Sequence, residues 1–413
     1  MKKLKLSKSE ELYKEALERI PGGVLGIRKP QNFVPGEYPI FLERAKGGRI
    51  WDVDGNEFID MLCGYGPIII GHREKEIDDA VIAQMEKGFC MDLTQPYQNR
   101  LAKKFKELIP CAEMAIFVKT GSDATSAAIR IARAFTEKPK IFQHGYHGWH
   151  DWCSPVKNGV LQKSYEDVFP FEYGNLDALE KLFEAHKGEV AAVIVTPVGH
   201  ELNHPVEAPK EGYLEGVKEL AHKNGALLVF DEIRTGFRVS LGGAQKRYGV
   251  TPDLATFGKA MANGYPISAV AGRKEVMMAM ENKHVFISST FFPNSLEQVA
   301  ALKTIEILER DKILDEIWRK GERFLAGVKE AIERTGAKAH LSGIPPMPFI
   351  TFPQVDDKYR ERRTAFCAGA IRRGLFLQPF HHYYICYRHS DKDIEEAIDI
   401  IEESLEETVG RVG

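Results

Sequence analysis

Four groups of residues in this sequence have types and spacing that could do chemistry. The first is a lysine set among small and apolar residues, Lys259 in Thr256-Phe257-Gly258-Lys259-Ala260-Met261-Ala262-Asn263-Gly264. An amine withdrawn from water loses its charge and becomes a nucleophile able to form a Schiff base. Gly258 and Gly264 suit close approach of the backbone to a ligand. The plain alternative is a surface lysine. The second is Asp231, which closes the apolar run Ala226-Leu227-Leu228-Val229-Phe230. A carboxylate at the carboxyl end of a sheet strand lies where ligands of open α/β sheets bind, and it could hold a proton on a cationic ring nitrogen. Alternatively, Asp231 or Glu232 pairs with Arg234 or Arg238.

The third group is Thr120-Gly121-Ser122-Asp123-Ala124-Thr125, between a strand-like run at Ala115 to Val118 and apolar residues at helical spacing. The unpaired N–H groups of a helix start, with the positive end of its dipole, make an anion site. Simple capping by Ser122 or Asp123 is the alternative. The fourth is Phe142-Gln143-His144-Gly145-Tyr146-His147-Gly148-Trp149-His150-Asp151-Trp152. Histidines three apart admit a zinc site. A glycine-broken loop would not keep them on one face, so an aromatic floor or lid for a planar ligand is preferred and no metal is expected.

The elements that must position these groups follow from pattern. Short uninterrupted apolar runs at Ala115–Val118, Val190–Val195 and Ala226–Phe230 alternate with helical stretches. Such alternation indicates a mostly parallel sheet covered on both faces. Before them, Ser7 to Arg19 reads as an amphipathic helix stopped by Pro21-Gly22-Gly23, and Gly48 to Asp60 as a hairpin turning at Asp54-Gly55. After them, helical spacing returns over Leu296 to Arg310, a charged stretch reaches Arg334, and a last helix runs from Asp391 to about Glu407. The domains expected are 1–73 as the N-terminal part of a small α+β domain, 74–300 as a large ligand-binding domain, and 301–413 as the rest of the small domain.

Composition excludes several classes. The 413 residues are 44% hydrophobic and 28% charged, which supports a packed core and rules out wholesale disorder. A net charge of −3 removes any compositional argument for nucleic acid. No apolar run reaches the roughly 18–20 residues that span a bilayer. The 6 cysteines form no CxxC pair and read as free thiols in a reducing compartment. Met1-Lys2-Lys3-Leu4-Lys5 is basic, but no apolar stretch of a secretory signal follows. A cytoplasmic enzyme is the expectation.

Taken in order, Gly-Ser-Asp at a helix start, Tyr-His-Gly, strand-end Asp-Glu-Ile and Gly-Lys resemble the class III pyridoxal-phosphate aminotransferases. Pro21-Gly22-Gly23-Val24, Tyr65-Gly66-Pro67-Ile68 with Gly71-His72, Ile129-Arg130-Ile131-Ala132-Arg133, Thr235-Gly236-Phe237-Arg238 and Gly249-Val250-Thr251-Pro252-Asp253-Leu254 are similar to the glutamate-1-semialdehyde aminomutase branch. The resemblance spans about Ser7 to Glu407. It implies a fold-type I homodimer that binds pyridoxal 5'-phosphate in active sites shared between subunits. Lys259 would carry the cofactor as a Schiff base and shuttle the proton. Asp231 would pair with the pyridinium nitrogen, with Ile233 under the ring and Tyr146 on its other face. Gly121 and Ser122 would bind the phosphate, joined by Thr290 of the second subunit. Arg28, Tyr65, His381 and His382 would line the substrate side.

Departures from the aminomutase pattern fall on that substrate side. Thr196-Pro197 stands for Glu-Pro. Ser289-Thr290-Phe291-Phe292-Pro293-Asn294-Ser295 replaces a glycine-rich gate. Pro379-Phe380-His381-His382-Tyr383-Tyr384 lacks the substrate-side carboxylate, and the loop before Arg28 is one residue shorter. The leading expectation is therefore a transaminase. It would move an amine from a donor such as glutamate to an aldehyde or ketone acceptor, with a sugar or keto-sugar acid suggested by the histidines and aromatics. An intramolecular aminomutase, a racemase or epimerase, and a non-catalytic relative are the alternatives.

Overall fold

The computed structural model describes residues 3–199 and 204–413, so Met1 and Lys2 of the basic start lie outside the described residues. It divides into two compact units. One draws on both chain ends, up to Glu74 and from Asp315 onward, with a short stretch closing at Val206. The other is the rest of the middle, between Lys75 and Leu314.

The chain opens with helix α1 (Ser7–Leu17), two residues shorter than its apolar spacing predicts. The carboxylate of Asp54 accepts the N–H groups of Lys8 at 3.0 Å and Ser9 at 2.9 Å, so a distant turn residue caps the helix. Strands β1 (Leu42–Lys46), β2 (Arg49–Asp52) and β3 (Glu57–Asp60) pair antiparallel. The turn between β2 and β3 is the one expected at Asp54-Gly55. Gly55 takes the left-handed backbone that suits glycine, with φ 90°. The buried Asp52 carboxylate accepts the N–H groups of Asp54 at 3.0 Å and Asn56 at 2.8 Å.

The middle unit carries the main sheet. Its strands are β4 (Met114–Val118), β5 (Lys140–His144), β6 (Val168–Pro170), β7 (Val190–Val195), β8 (Leu227–Asp231), β9 (Leu254–Phe257) and β10 (Ser268–Gly272), in the order β4-β10-β9-β8-β7-β5-β6. Only β10 runs against its neighbours. Every residue of β7 to β10 is buried, which is why β7 and most of β8 read as continuous apolar runs rather than alternating ones. Helix α2 (Gly121–Thr136) packs its alanine-rich face on β7, β9 and β10. Further along, helix α3 (Ser295–Arg310) belongs to the same unit.

The last part of the chain completes the first unit. Strands β11 (His340–Ile344) and β12 (Met347–Thr351) form a hairpin, and the short β13 (Leu375–Phe376) joins β3 in parallel. The closing helix α4 (Asp391–Val412) outruns its expected end, and a reciprocal cap between Ser390 and Asp393 starts it. Cys63, Cys386 and His389 meet in this unit, buried. Both ring nitrogens of His389 already face backbone groups, the N–H of Cys386 and the carbonyl of Asp60, each at 3.1 Å. All 6 cysteines are free thiols. Among the described residues no helix is long and apolar enough to cross a membrane.

Candidate active site

Strands β8 and β9 are parallel neighbours with Asp231 opposite Thr256, so Asp231 and the Gly258-Lys259 step emerge from the same carboxyl edge of the sheet. Neither Arg234 nor Arg238 pairs with Asp231, contrary to the plain alternative. Its Oδ2 lies 2.7 Å from His147 Nδ1, and its Oδ1 accepts the Ile233 N–H at 3.1 Å and the Thr256 hydroxyl at 3.2 Å. Burial alone would push this carboxyl up. The hydrogen bond and charge of His147, with the Ile233 N–H and the charge of Arg234, outweigh it and hold the carboxyl below its ordinary value. An ionised carboxylate only accepts hydrogen bonds, so His147 carries its proton on Nδ1. Its Nε2 is buried without a hydrogen-bond partner, and its ring lies parallel to Trp152.

Glu232, next in the chain, points away from this group. Its buried carboxyl is pushed up by desolvation, and it accepts from the Thr235 hydroxyl at 2.7 Å, from Ala244 N at 2.6 Å and from Gln245 N at 3.1 Å. Gly243, at φ 73°, leaves the room the carboxylate occupies. Glu232 thus ties down the following loop, while Asp231 faces the sheet edge.

Lys259 begins a single tight turn, Lys259–Ala262, with φ 39°. A non-glycine residue there stores about 1–3 kcal/mol of strain, which is typical of functional positions. Gly258 is needed beneath it: a Cβ would come within 2.7 Å of Ser268 Oγ and 3.2 Å of Ile233 Cδ1. Burial, with the charges of Arg234 and Arg238, pushes the Lys259 amine down to about 7, against the opposing pull of Asp231. Much of this amine is therefore neutral at ordinary pH, which is the state a nucleophile needs.

The helix start is capped by Thr120, not by Ser122 or Asp123 alone. Asp123 N–H donates to Thr120 Oγ1 at 3.1 Å, and Thr120 N–H donates to the Asp123 carboxylate at 2.8 Å, a reciprocal capping box. This leaves the Ser122 hydroxyl outside the cap, where it accepts the Trp149 N–H at 3.3 Å. Gly148 lies directly against Ser122, so the Tyr146-His147-Gly148 loop is packed onto the amino end of α2. The Thr125 hydroxyl donates to the His147 carbonyl at 2.6 Å and locks that packing. A Cβ on Gly121 would sit 3.3 Å from Ile233. Burial pushes the Tyr146 phenol up while Arg234 draws it back, which places this tyrosine within reach of the same charges.

The structure therefore brings Gly121, Ser122, Tyr146, Asp231, Ile233 and Lys259 together in the middle unit. Thr290 lies in the same unit on an exposed loop ahead of α3. Arg28, Tyr65, His381 and His382 gather in the other unit. The guanidinium of Arg28 stands 5.5 Å from the Tyr65 ring centroid, Tyr65 meets His381 edge-on at 5.2 Å, and His381 stacks on His382 at 4.4 Å. Arg28 and Tyr65 line a cavity of about 420 Å³ whose walls include Phe33, Ile40, Leu62 and Phe376. His144, His147 and His150 turn to three different partners, the Phe171 carbonyl, Asp231 and the Ser126 hydroxyl. The pairing of His147 with Asp231 was not read from sequence. Its only signal was the Tyr-His-Gly step.

The residues present fit pyridoxal 5'-phosphate. A buried, ionised Asp231 suits a protonated ring nitrogen, a partly neutral Lys259 suits an aldehyde carbon, and a capped helix start with no Cβ at Gly121 suits a phosphate. A family model for class-III aminotransferases matches residues 33–405. The 3-aminobutyryl-CoA aminotransferase of Cloacimonas acidaminovorans (strain Evry) is 58% identical, over 98% of this chain and 98% of its own. A glutamate-1-semialdehyde 2,1-aminomutase of Methanosphaera stadtmanae is 34% identical, over 97% of this chain and 99% of its own. Among solved structures, the PLP internal aldimine form of the FumI protein of Sphingopyxis sp. MTA144 is similar with a TM-score of 0.92 at 32% identity, covering 97% of this chain and 96% of that one. With a strand-end carboxylate, a lysine of lowered basicity and a capped helix start in one unit, this chain belongs to the class-III aminotransferases and is a transaminase dependent on pyridoxal 5'-phosphate.

Proposed function

We propose that the chain exchanges the amino group of a 3-aminoacyl thioester, of which 3-aminobutyryl-CoA is the model, with the oxygen of an oxo acid such as 2-oxoglutarate. The observation that carries this reading is the 58% identity, over nearly the whole of both chains, to the relative named for that substrate. The sugar or keto-sugar acid expected from the histidines and aromatics is withdrawn, because that relative acts on an acyl thioester by its name. Amine and oxygen trade places: the thioester leaves as a 3-oxoacyl thioester and the oxo acid leaves as an amino acid.

Bound cofactor supplies an electron sink for the charge left on the carbon that loses its proton. Lys259 would hold the cofactor covalently. Its amine, with a basicity near neutral, would move the proton at the amine-bearing carbon. Asp231 would keep the ring nitrogen protonated. His147 fixes the carboxylate through its 2.7 Å hydrogen bond.

The experiment is a half-reaction. Holoenzyme mixed with 3-aminobutyryl-CoA should lose its Schiff-base absorbance and release a 3-oxobutyryl thioester visible by mass spectrometry. Added 2-oxoglutarate should restore the spectrum and yield glutamate. Turnover of glutamate-1-semialdehyde without a second substrate, and none of the thioester, would favour aminomutation instead.

The active form in this reading is a homodimer, and the free thiols suit a reducing, cytoplasmic setting. Support for the dimer comes from exposed apolar residues of the middle unit, Leu93 at 81%, Phe286 at 77% and Phe291 at 57% exposure, the last beside Thr290. Exposed apolar surface of this kind marks interaction sites. Thr290 of one subunit would complete the phosphate site of the other. Thr290→Ala should weaken cofactor affinity by about tenfold, the loss of one hydrogen bond to a charged group, and shift the dimer toward monomer by linkage. Cofactor titration combined with light scattering measures both. A monomeric holoenzyme with full activity would contradict it.

A further inference from the structure

The helix Tyr359–Arg372 of the first unit is rich in arginine. Two of its guanidiniums are tied to carboxylates: Arg362 donates to Asp356 at 2.7 Å and Arg372 to Glu37 at 2.7 Å. Arg363 is different. It is half-buried, yet it makes no hydrogen bond or ion pair among the described residues. Its guanidinium lies over the Phe380 ring, 4.0 Å from the centroid. Burial lowers its basicity, and the charge of Arg360 lowers it further. The Cys367 thiol and the Tyr359 phenol act the other way, and no carboxylate joins them. A partly desolvated cation beside a like charge is costly unless an anion completes it.

Arg360, one turn earlier on the helix, is exposed and has no carboxylate partner among the described residues; its Nε donates to the Tyr359 hydroxyl at 2.8 Å. Glu361, between the two in sequence, bears on Arg362 and not on Arg363. Two guanidiniums without an acid suit an anion of several charges, and a fork lying on an aromatic face keeps its N–H edges for phosphate oxygens. The place of Arg363 matters as much as its charge. Phe380 directly precedes His381, which meets Tyr65 edge-on, and Tyr65 stands under Arg28. The Phe380 loop is also fastened to the segment after Arg28, because the Gln378 side chain donates to the Asn32 carbonyl at 2.9 Å. Arg363 thus sits at one end of an aromatic strip whose other members are the residues expected on the substrate side.

We propose that Arg363, with Arg360 beside it, binds a phosphate of the nucleotide tail of the thioester substrate. The proposal rests on the thioester reading above. A coenzyme A thioester carries two such groups beyond its flexible arm, a diphosphate and a ribose phosphate.

The test compares holoenzyme turnover of 3-aminobutyryl-CoA, its dephospho-CoA analogue and the N-acetylcysteamine thioester, which has no nucleotide tail. R363Q should lower kcat/KM for the CoA thioester by about ten- to a hundredfold, the loss of a hydrogen bond between charged groups. The loss should lie in KM and shrink with added salt. R363K, which keeps the charge without the fork, should fall between R363Q and wild type. Both variants should handle the N-acetylcysteamine thioester as wild type does. On the dephospho-CoA thioester, equal values for R363Q and wild type assign the ribose phosphate, and a persisting gap assigns the diphosphate. Circular dichroism confirms that each variant folds, and R363K carries the test if R363Q does not. Wild-type turnover of the CoA thioester matched by folded R363Q would overturn the proposal and leave the thioester reading standing. Equal losses on the tailed and tail-less thioesters would do the same. If wild type turns over no thioester, that reading fails, and titration of both holoenzymes with coenzyme A itself decides the proposal: weaker binding by R363Q supports it, and equal or absent binding overturns it.

Discussion

Lys259→Ala is expected to lower turnover by about 10⁴-fold or more, the upper range for one positioned proton-transfer group, because the same side chain also holds the cofactor. The fold should survive. The side chain is partly buried and its amine is desolvated at a cost, so removing it leaves no charge unpaired. The left-handed backbone at φ 39° is as strained for alanine as for lysine. Stability should therefore change by less than about 1 kcal/mol. Small primary amines added to the variant should restore part of the rate, since the missing function is a base that a free amine can supply. In the wild-type apoprotein, cofactor uptake should quicken as pH rises through about 7, because burial and two arginines lower the amine's basicity and the neutral form grows above that pH. Stopped-flow absorbance at several pH values reads this directly. A rate that rises only near the ordinary lysine range would show that the amine is not tuned.

Asp231→Asn should cost about 10²–10³-fold in turnover, roughly 2.7–4 kcal/mol, the loss seen when one preorganised electrostatic partner is removed. The amide fits the same space but cannot hold a proton on the ring nitrogen. His147→Phe should produce a smaller loss, about 1.5–3 kcal/mol for a hydrogen bond to a charged group, because it acts through Asp231. The two losses should not add. Once Asp231 is an amide, His147 has no charge to hold, so the double variant should resemble Asp231→Asn alone. Steady-state rates of the four proteins in a double-mutant cycle check this. Additive losses would place His147 in a role independent of Asp231.

How much of this was legible in sequence depended on how local each feature is. The strands β7 and β8 announce themselves because burial on both faces demands unbroken apolar runs. The turn at Asp54-Gly55 and the helix after Gly121 rest on a few neighbouring residues and were found where expected. The reversed strand β10 was not. Ser268-Ala269-Val270-Ala271-Gly272 is made of small residues, and its place between β4 and β9 comes from packing that no local pattern carries. The true cap, Thr120, was overlooked in favour of Ser122 and Asp123, which stand inside the first turn. The place of Lys259 and Asp231 at the carboxyl edge of the sheet was readable from residue type and strand-end position. The orientation of Asp231 was not, because His147 lies far away in the chain and its spacing to His144 and His150 suggested a different use. Arg234 was read as a partner for neighbouring acids. In the fold those acids point elsewhere and fill their hydrogen bonds first.

The central claim is that Lys259, emerging beside Asp231 at the carboxyl edge of the main sheet, is the residue that holds the cofactor. The most direct test is borohydride reduction of the holoenzyme followed by peptide mapping. The account predicts one reduced pyridoxyl label per chain, on Lys259 in the peptide that contains Phe257-Gly258-Lys259-Ala260. A label on any other lysine, with Lys259 unmodified, would contradict it.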